Sequence, residues 1–117
     1  MTLPVLVAVK TAGVVRIVRT VDVDWWEADG NYVRIHVGAT SHLVRMTLTA
    51  IESQLDPDRF TRIHRRYIVN LDRIVEIQPW FAGDAVIVLS TGAKLRLSRT
   101  YRSALHAHLL GSAIVSE

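Results

Sequence analysis

Between Arg59 and Leu71 the chain reads RFTRIHRRYIVNL. It sets Arg59, Arg62, Arg65 and Arg66, with His64, in eight residues and carries no acid. A folded domain seldom concentrates that much fixed positive charge unless an anion will rest on it. Arginine also presents a planar, permanently charged fork that matches phosphate oxygens and the edge of guanine. Ile63 on one side and Tyr67, Ile68 and Val69 on the other bracket the cluster, so it reads as a basic connection held between two core-facing strands. Nucleic acid is the first partner these residues imply; a solvated arginine-rich turn is the plainer alternative.

A second basic group follows in LSRTYR. Ser98 has the character of a helix N-cap, which would put Arg99 at the first helical position and Arg102 at the fourth, with no acid nearby in sequence. The start of a helix already carries partial positive charge, so arginine there is unfavourable unless an incoming phosphate takes up the free backbone N–H groups. A third group is the turn Asp29-Gly30-Asn31-Tyr32, whose Asn31 and Tyr32 could donate to phosphates or base edges, although a simple hairpin with Tyr32 packed on its sheet is the commoner arrangement. Asn70, directly after a strand, is expected to satisfy backbone groups in a bend. Trp80-Phe81 could stack on bases, but packing over a sheet edge is expected.

Catalytic chemistry finds little support. The five histidines (His36, His42, His64, His106, His108) include no pair at the four-residue spacing of a helical zinc site, and there is no cysteine. No serine stands in a nucleophile elbow, and neither a phosphate loop nor a dinucleotide fingerprint is present. The expectation is a non-enzyme with no cofactor and no metal.

The elements that must carry these groups are mostly short β-strands. Val5–Val9, Val14–Val18, Tyr32–Val37, His42–Met46, Tyr67–Asn70, Ile74–Ile77, Ala85–Leu89 and Lys94–Leu97 are rich in β-branched residues. Turn signals at Gly30-Asn31, Gly38, Gly83-Asp84 and Thr91-Gly92 separate them. The adjacent pair Trp25-Trp26 alternates across a further strand, one ring in the core and the other packed elsewhere. Two segments read as helices. Leu48–Leu55 has Leu48, Ile51 and Leu55 on one stripe, capped by a Thr49–Glu52 box or by Thr47, and stops at Asp56-Pro57. The other runs from Ser98 through Tyr101, Leu105 and Leu109 to Gly111, with the last residues frayed.

With 117 residues, half of them apolar and 21% charged, the chain fits one globular domain, residues 1–117 with a core over about 5–110. No apolar run is long enough to span a membrane, and the start lacks the pattern of a signal peptide. Absence of cysteine fits the cytoplasm. Net charge is only +3, but its distribution is uneven. Thr20–Gly30 holds four acids (Asp22, Asp24, Glu27, Asp29) and no base, whereas Ala85–Ser116 holds Lys94, Arg96, Arg99 and Arg102 and no acid. That distribution predicts an electrically two-sided molecule.

The segments WWEADGNYVRIH, TLTAIESQL, FTRIHRRYIVNLDRI and PWFAGDAVIVLSTGAKLRLSRTYRSAL together resemble the LytTR-type DNA-binding domain of bacterial response regulators, over about Val5 to Leu110. The resemblance implies a mostly β fold of short antiparallel strands in stacked sheets with one or two short helices. It also implies sequence-specific binding of double-stranded DNA by a transcription regulator, with inter-strand loops entering successive major grooves. Carried over by position, base contacts fall at Arg65, Arg99, Asn31 and Tyr32, and phosphate contacts at Arg62, Arg66, Thr100 and Arg102. Paired direct repeats, one protomer on each and little or no homodimer off DNA, are the expected mode of binding. An upstream receiver domain often precedes such a module and is absent from this chain. A single-stranded nucleic-acid or protein-interaction β module is the rival expectation.

Overall fold

Ten strands and two short helices make up the protein in the computed structural model, which describes residues 3–80 and 82–109. The strands form three antiparallel sheets. β1 (Leu6–Thr11) pairs with β2 (Val14–Arg19) as a separate hairpin. The central sheet has the order β5-β4-β3-β7-β6, built from β3 (Trp25–Asp29), β4 (Tyr32–Val37), β5 (Thr40–Val44), β6 (Phe60–His64) and β7 (Tyr67–Asn70). The third sheet, order β10-β9-β8, contains β8 (Ile74–Pro79), β9 (Ala85–Leu89) and β10 (Lys94–Leu97). Mostly β, in stacked antiparallel sheets, is the architecture expected.

The central sheet is apolar on both faces, because successive side chains of a strand point opposite ways. On β7, Ile68 enters one core with Trp26, Val33, Ile35, Phe60 and the hairpin residue Val9. Its neighbour Val69 enters a second core with Ile63, Ile87, Leu89, Leu95, Leu97 and Leu105. The tryptophan pair divides in the same way. Trp26 is buried in the first core, while Trp25 stacks on His36 at 3.7 Å and meets Tyr67 edge-on. Burial on both faces explains why YIVN reads as an unbroken apolar run rather than an alternating one.

Asn70 satisfies backbone groups in a bend, as expected. Its buried amide donates to the carbonyls of Val21 (3.2 Å) and Val23 (2.9 Å), and its oxygen accepts from the Asp72 N–H. Both helices are shorter than the sequence predicts. α1 covers Leu48–Glu52, capped by the Thr47 hydroxyl on the Ala50 N–H; the Glu52 carboxylate points elsewhere. The segment after Ser98 opens with a 3-10 turn, Arg99–Tyr101, and only then becomes α2, Arg102–His106. One hairpin turn lies outside the predicted set: Ala12 and Gly13 link β1 and β2, both at positive φ (51° and 79°). Phe81, the Gly111 stop and the fraying after it lie outside the described residues.

Candidate nucleic-acid interface

Arg65 and Arg66 form the two-residue turn between β6 and β7, and neither has positive φ. Tight hairpin turns normally use positive φ to follow the strand twist. Here the mismatch falls on a β-bulge: Arg62 faces Ile68 and His64 faces Tyr67, which leaves Ile63 as the extra residue. Arg62 then braces the turn from within. Its Nε donates to the His64 carbonyl at 2.9 Å, Nη2 donates to the Arg65 carbonyl, and Nη1 reaches Glu52 Oε1 at 3.0 Å. The side chain is only 11% exposed and its guanidinium lies over the Tyr101 ring. His64 Nδ1 accepts the Arg66 N–H, so in this tautomer Nε2 carries the proton. Arg66 is also tethered, to the Ala28 carbonyl (3.3 Å) and beside Glu27 (3.8 Å). Arg65 projects outward, with no side-chain partner among the described residues.

The Ser98 segment adjoins this turn, because the Ser98 N–H donates to the Ile63 carbonyl at 2.9 Å. Arg65 and Arg99 therefore stand on neighbouring segments. Arg99 is likewise exposed, its guanidinium without a partner among the described residues. The segment itself carries no acid, as its sequence reads, but one reaches it from elsewhere in the chain. Asp84, from the turn between β8 and β9, accepts the Arg99 backbone N–H on Oδ1 at 2.9 Å. Its Oδ2 takes Arg96, whose guanidinium lies 4.6 Å from the Trp80 ring centroid. These donors, Arg96 first, hold the Asp84 carboxyl below its usual pKa. One of the N–H groups expected for phosphate, that of Arg99, is thus already taken. Thr100 is exposed, and Arg102 Nη1 donates to the Gly83 carbonyl at 3.1 Å.

The third predicted group lies across a shallow basin of about 460 Å³ that Asn31 and Tyr32 line together with Arg62, Arg65 and Arg45. Gly30 takes positive φ (61°) and Asn31 does not, the pattern of a type II′ hairpin. Tyr32 is 42% exposed rather than packed on its sheet. The opposite wall holds Arg45, Thr47 and Thr49, from the end of β5 to the start of α1. Arg45, which the sequence reading passed over, is exposed and has no side-chain partner among the described residues. It sits alone between apolar residues, so no cluster drew attention to it.

The acidic stretch is largely paired with bases. Asp24 binds Arg73 at 2.8 Å, Asp29 binds Arg34 at 3.1 Å, and Glu27 lies between His36 (3.0 Å) and Arg66 (3.8 Å). Three of the four acids in the acidic stretch are matched by bases from elsewhere in the chain. Among the described residues, Arg45, Arg65 and Arg99 near the basin and turn have no side-chain partner.

Comparison with known proteins bears on this arrangement. The LytTr DNA-binding domain family matches residues 13–110. The chain belongs to that family. Over 89 residues it is 36% identical to the sensory transduction protein LytT of Bacillus subtilis, covering 76% of this chain and 37% of that protein. It is also 36% identical to the transcriptional regulatory protein LytR of Staphylococcus aureus, over 56% of this chain and 27% of LytR. The chain therefore spans little more than a third of these relatives at most. A solved LytTr DNA-binding domain of a putative methyl-accepting/DNA response regulator from Bacillus cereus superposes with a TM-score of 0.82 at 25% identity, covering 92% of this chain and 98% of that one.

Membership in the LytTr family makes this a DNA-binding domain of bacterial regulators, as the motifs in FTRIHRRYIVN and LSRTY imply. Two features of its site were invisible in the motifs. Arg62 looked like one more surface cation because its carbonyl partners are backbone atoms. Asp84 looked like a turn residue because its partners lie 12 and 15 residues later. Among the described residues no helix is long and apolar enough to cross a membrane, and no cluster of three His, Asp or Glu side chains could hold a metal ion.

Proposed function

We propose that the domain binds double-stranded DNA sequence-specifically, by presenting Arg65 and Arg99 to base edges in the major groove. The observation that carries this reading is the pairing of two outward guanidiniums, without partners among the described residues, on segments joined by the Ser98–Ile63 hydrogen bond, while Arg62, Arg66 and Arg102 are tied down. A fork without an internal partner is free to make the bidentate contact that guanine offers. Asn31 and Tyr32, across the basin from Arg65, add contacts from the hairpin tip. Arg66, Thr100 and Arg102 meet phosphates, and Arg45 joins them. Arg62, assigned to phosphate by position, serves here as the brace of the turn, since three of its N–H donors hold two carbonyls and Glu52 and its side chain is only 11% exposed.

In this reading the domain works within a longer regulator, needs no cofactor, catalyses nothing, acts in the cytoplasm and occupies direct repeats one copy each. Single-strand recognition is disfavoured at Trp80, whose ring face already carries Arg96. Selection of duplexes from a random pool supplies the site. On that site Arg65→Ala is expected to relax base preference by about 1–3 kcal/mol, whereas Arg102→Ala weakens all duplexes alike and lowers the salt slope by about 1. Equal losses on specific and random duplex for both variants would remove the division of roles.

A further inference from the structure

The turn between β8 and β9 holds the Ser98–Arg102 segment at three points. Asp84 Oδ1 takes the Arg99 N–H (2.9 Å) and the Gly83 carbonyl takes Arg102 Nη1 (3.1 Å). Gly83 also lies against the stem of Arg99: a Cβ at this position would sit 2.9 Å from Arg99 Cδ. Asp84 is itself fixed by Arg96, and Arg96 rests on Trp80. An acid beside a polyanion's binding face costs affinity by repulsion. An aspartate serving only to close a turn could be replaced by asparagine or glycine with no such cost.

We propose that Asp84 and Gly83 are positioning residues for DNA specificity: they fix the direction of Arg99, at the expense of some non-specific affinity. The inference rests on the reading of Arg99 as a base-reading residue. In the absence of the Asp84 bond, the Arg99 N–H becomes available to a phosphate, and the 3-10 turn that carries the guanidinium loses its anchor. Asp84 thus excludes the backbone-phosphate contact that would draw this segment to any DNA. It keeps Arg99 where only the correct base can satisfy it. The expected signature is a pair of opposite signs: removal of the acid tightens binding to random duplex while it loosens the choice among sequences.

The test compares Asp84→Ala, Asp84→Asn, Gly83→Ala and Arg99→Ala on the selected duplex, on the same duplex with single bases changed, and on random duplex. Thermal melts of each variant check that it folds. Asp84→Ala is expected to bind random duplex more tightly and to lose about fivefold or more in discrimination at the base Arg99 reads. Asp84→Asn, which keeps an oxygen for the Arg99 N–H, should tighten on random duplex yet retain most of the discrimination. Gly83→Ala changes no charge and should lose discrimination with little change on random duplex. Discrimination unchanged in Asp84→Ala and Gly83→Ala, with Arg99→Ala impaired, overturns the positioning role alone. Discrimination unchanged in Arg99→Ala overturns the base-reading role and this inference with it.

Discussion

The two arginines proposed to read bases are held by opposite means. Arg65 sits in a turn braced by a neighbouring cation, Arg62, whose fork satisfies the carbonyls of His64 and Arg65 from three residues away or less. Arg99 sits in a segment bracketed by an anion, Asp84, which comes from another sheet turn and satisfies a backbone N–H. The first device is local and uses arginine's multiple donors; the second is long-range and uses a carboxylate's acceptors. A bulged turn without positive φ leaves carbonyls pointing outward, so a donor fork suits it. A helical start leaves N–H groups pointing outward, so an acceptor suits it. The polarity of the unmatched backbone atoms, rather than the charge of the ligand, decides which side chain does the holding.

Arg62→Ala should show the largest effect. Two carbonyls lose their donors and Glu52 loses its partner in a place that is only partly wet, which is expected to cost about 1–3 kcal/mol in urea unfolding. DNA discrimination at the base read by Arg65 should fall as well, while discrimination at the Arg99 base stays intact. Arg62→Lys should recover little, since an ammonium cannot span two carbonyls as a planar fork does. If loss appears equally at both bases, the two regions form one unit and the contrast between them dissolves.

Glu52→Gln gives a smaller and sharper comparison. Glu52 is 45% exposed, and its ion pair with Arg62 belongs with surface pairs worth about 0.2–1 kcal/mol. The expected result is a slight loss of stability with discrimination unchanged, because the bonds from Arg62 to the carbonyls remain. A fall in discrimination as large as that of Arg62→Ala would mean that a carboxylate anchors both readers, in the Arg65 turn indirectly and in the Arg99 segment directly.

This contrast also marks where the sequence was legible. Strand positions such as Tyr32–Val37, Tyr67–Asn70, Ala85–Leu89 and Lys94–Leu97 could be read to the residue, because β-branched runs end at turn formers. Asn70 was legible because a buried amide after a strand has few alternatives. The helices were read too long. Leu55 is buried without being helical, so the apolar stripe continued past the end of α1. The positive φ of Ala12 and the bulge at Ile63 were not legible, since alanine rarely adopts that conformation and a bulge leaves no mark in composition. Charged residues were the least legible of all. Arg62 and Arg65 are the same letter in the same cluster, and only the register of β6 on β7 turns one inward and the other out.

Acid titration should separate the regions with the smallest but most direct effect. Burial lowers the pKa of His64 from 6.5, and Arg96, Arg65 and Arg66 lower it further against the opposing pull of Asp84. The ring abuts Tyr67 at 5.1 Å, and its Nδ1 must stay unprotonated to accept the Arg66 N–H. With the folded pKa below the unfolded one, the unfolded chain binds more protons between the two values, so stability rises with pH across that window. The Arg65 turn should therefore weaken as pH falls from about 6.5 towards the folded pKa, and His64→Gln should flatten that slope. Asp84 behaves in the same direction but in a different range. Its folded pKa lies below 3.8, so the stability it contributes is complete above that value and is lost as pH falls through the folded pKa. As pH falls, the turn under Arg65 should begin to loosen while the bracket on Arg99 is still whole. Ring and backbone NMR titrations check this: shifts at Arg65 and Arg66 should follow His64, and those at Arg99 should not move until pH falls below 4. Movement of Arg99 together with His64 would show one coupled surface in place of two separately held readers.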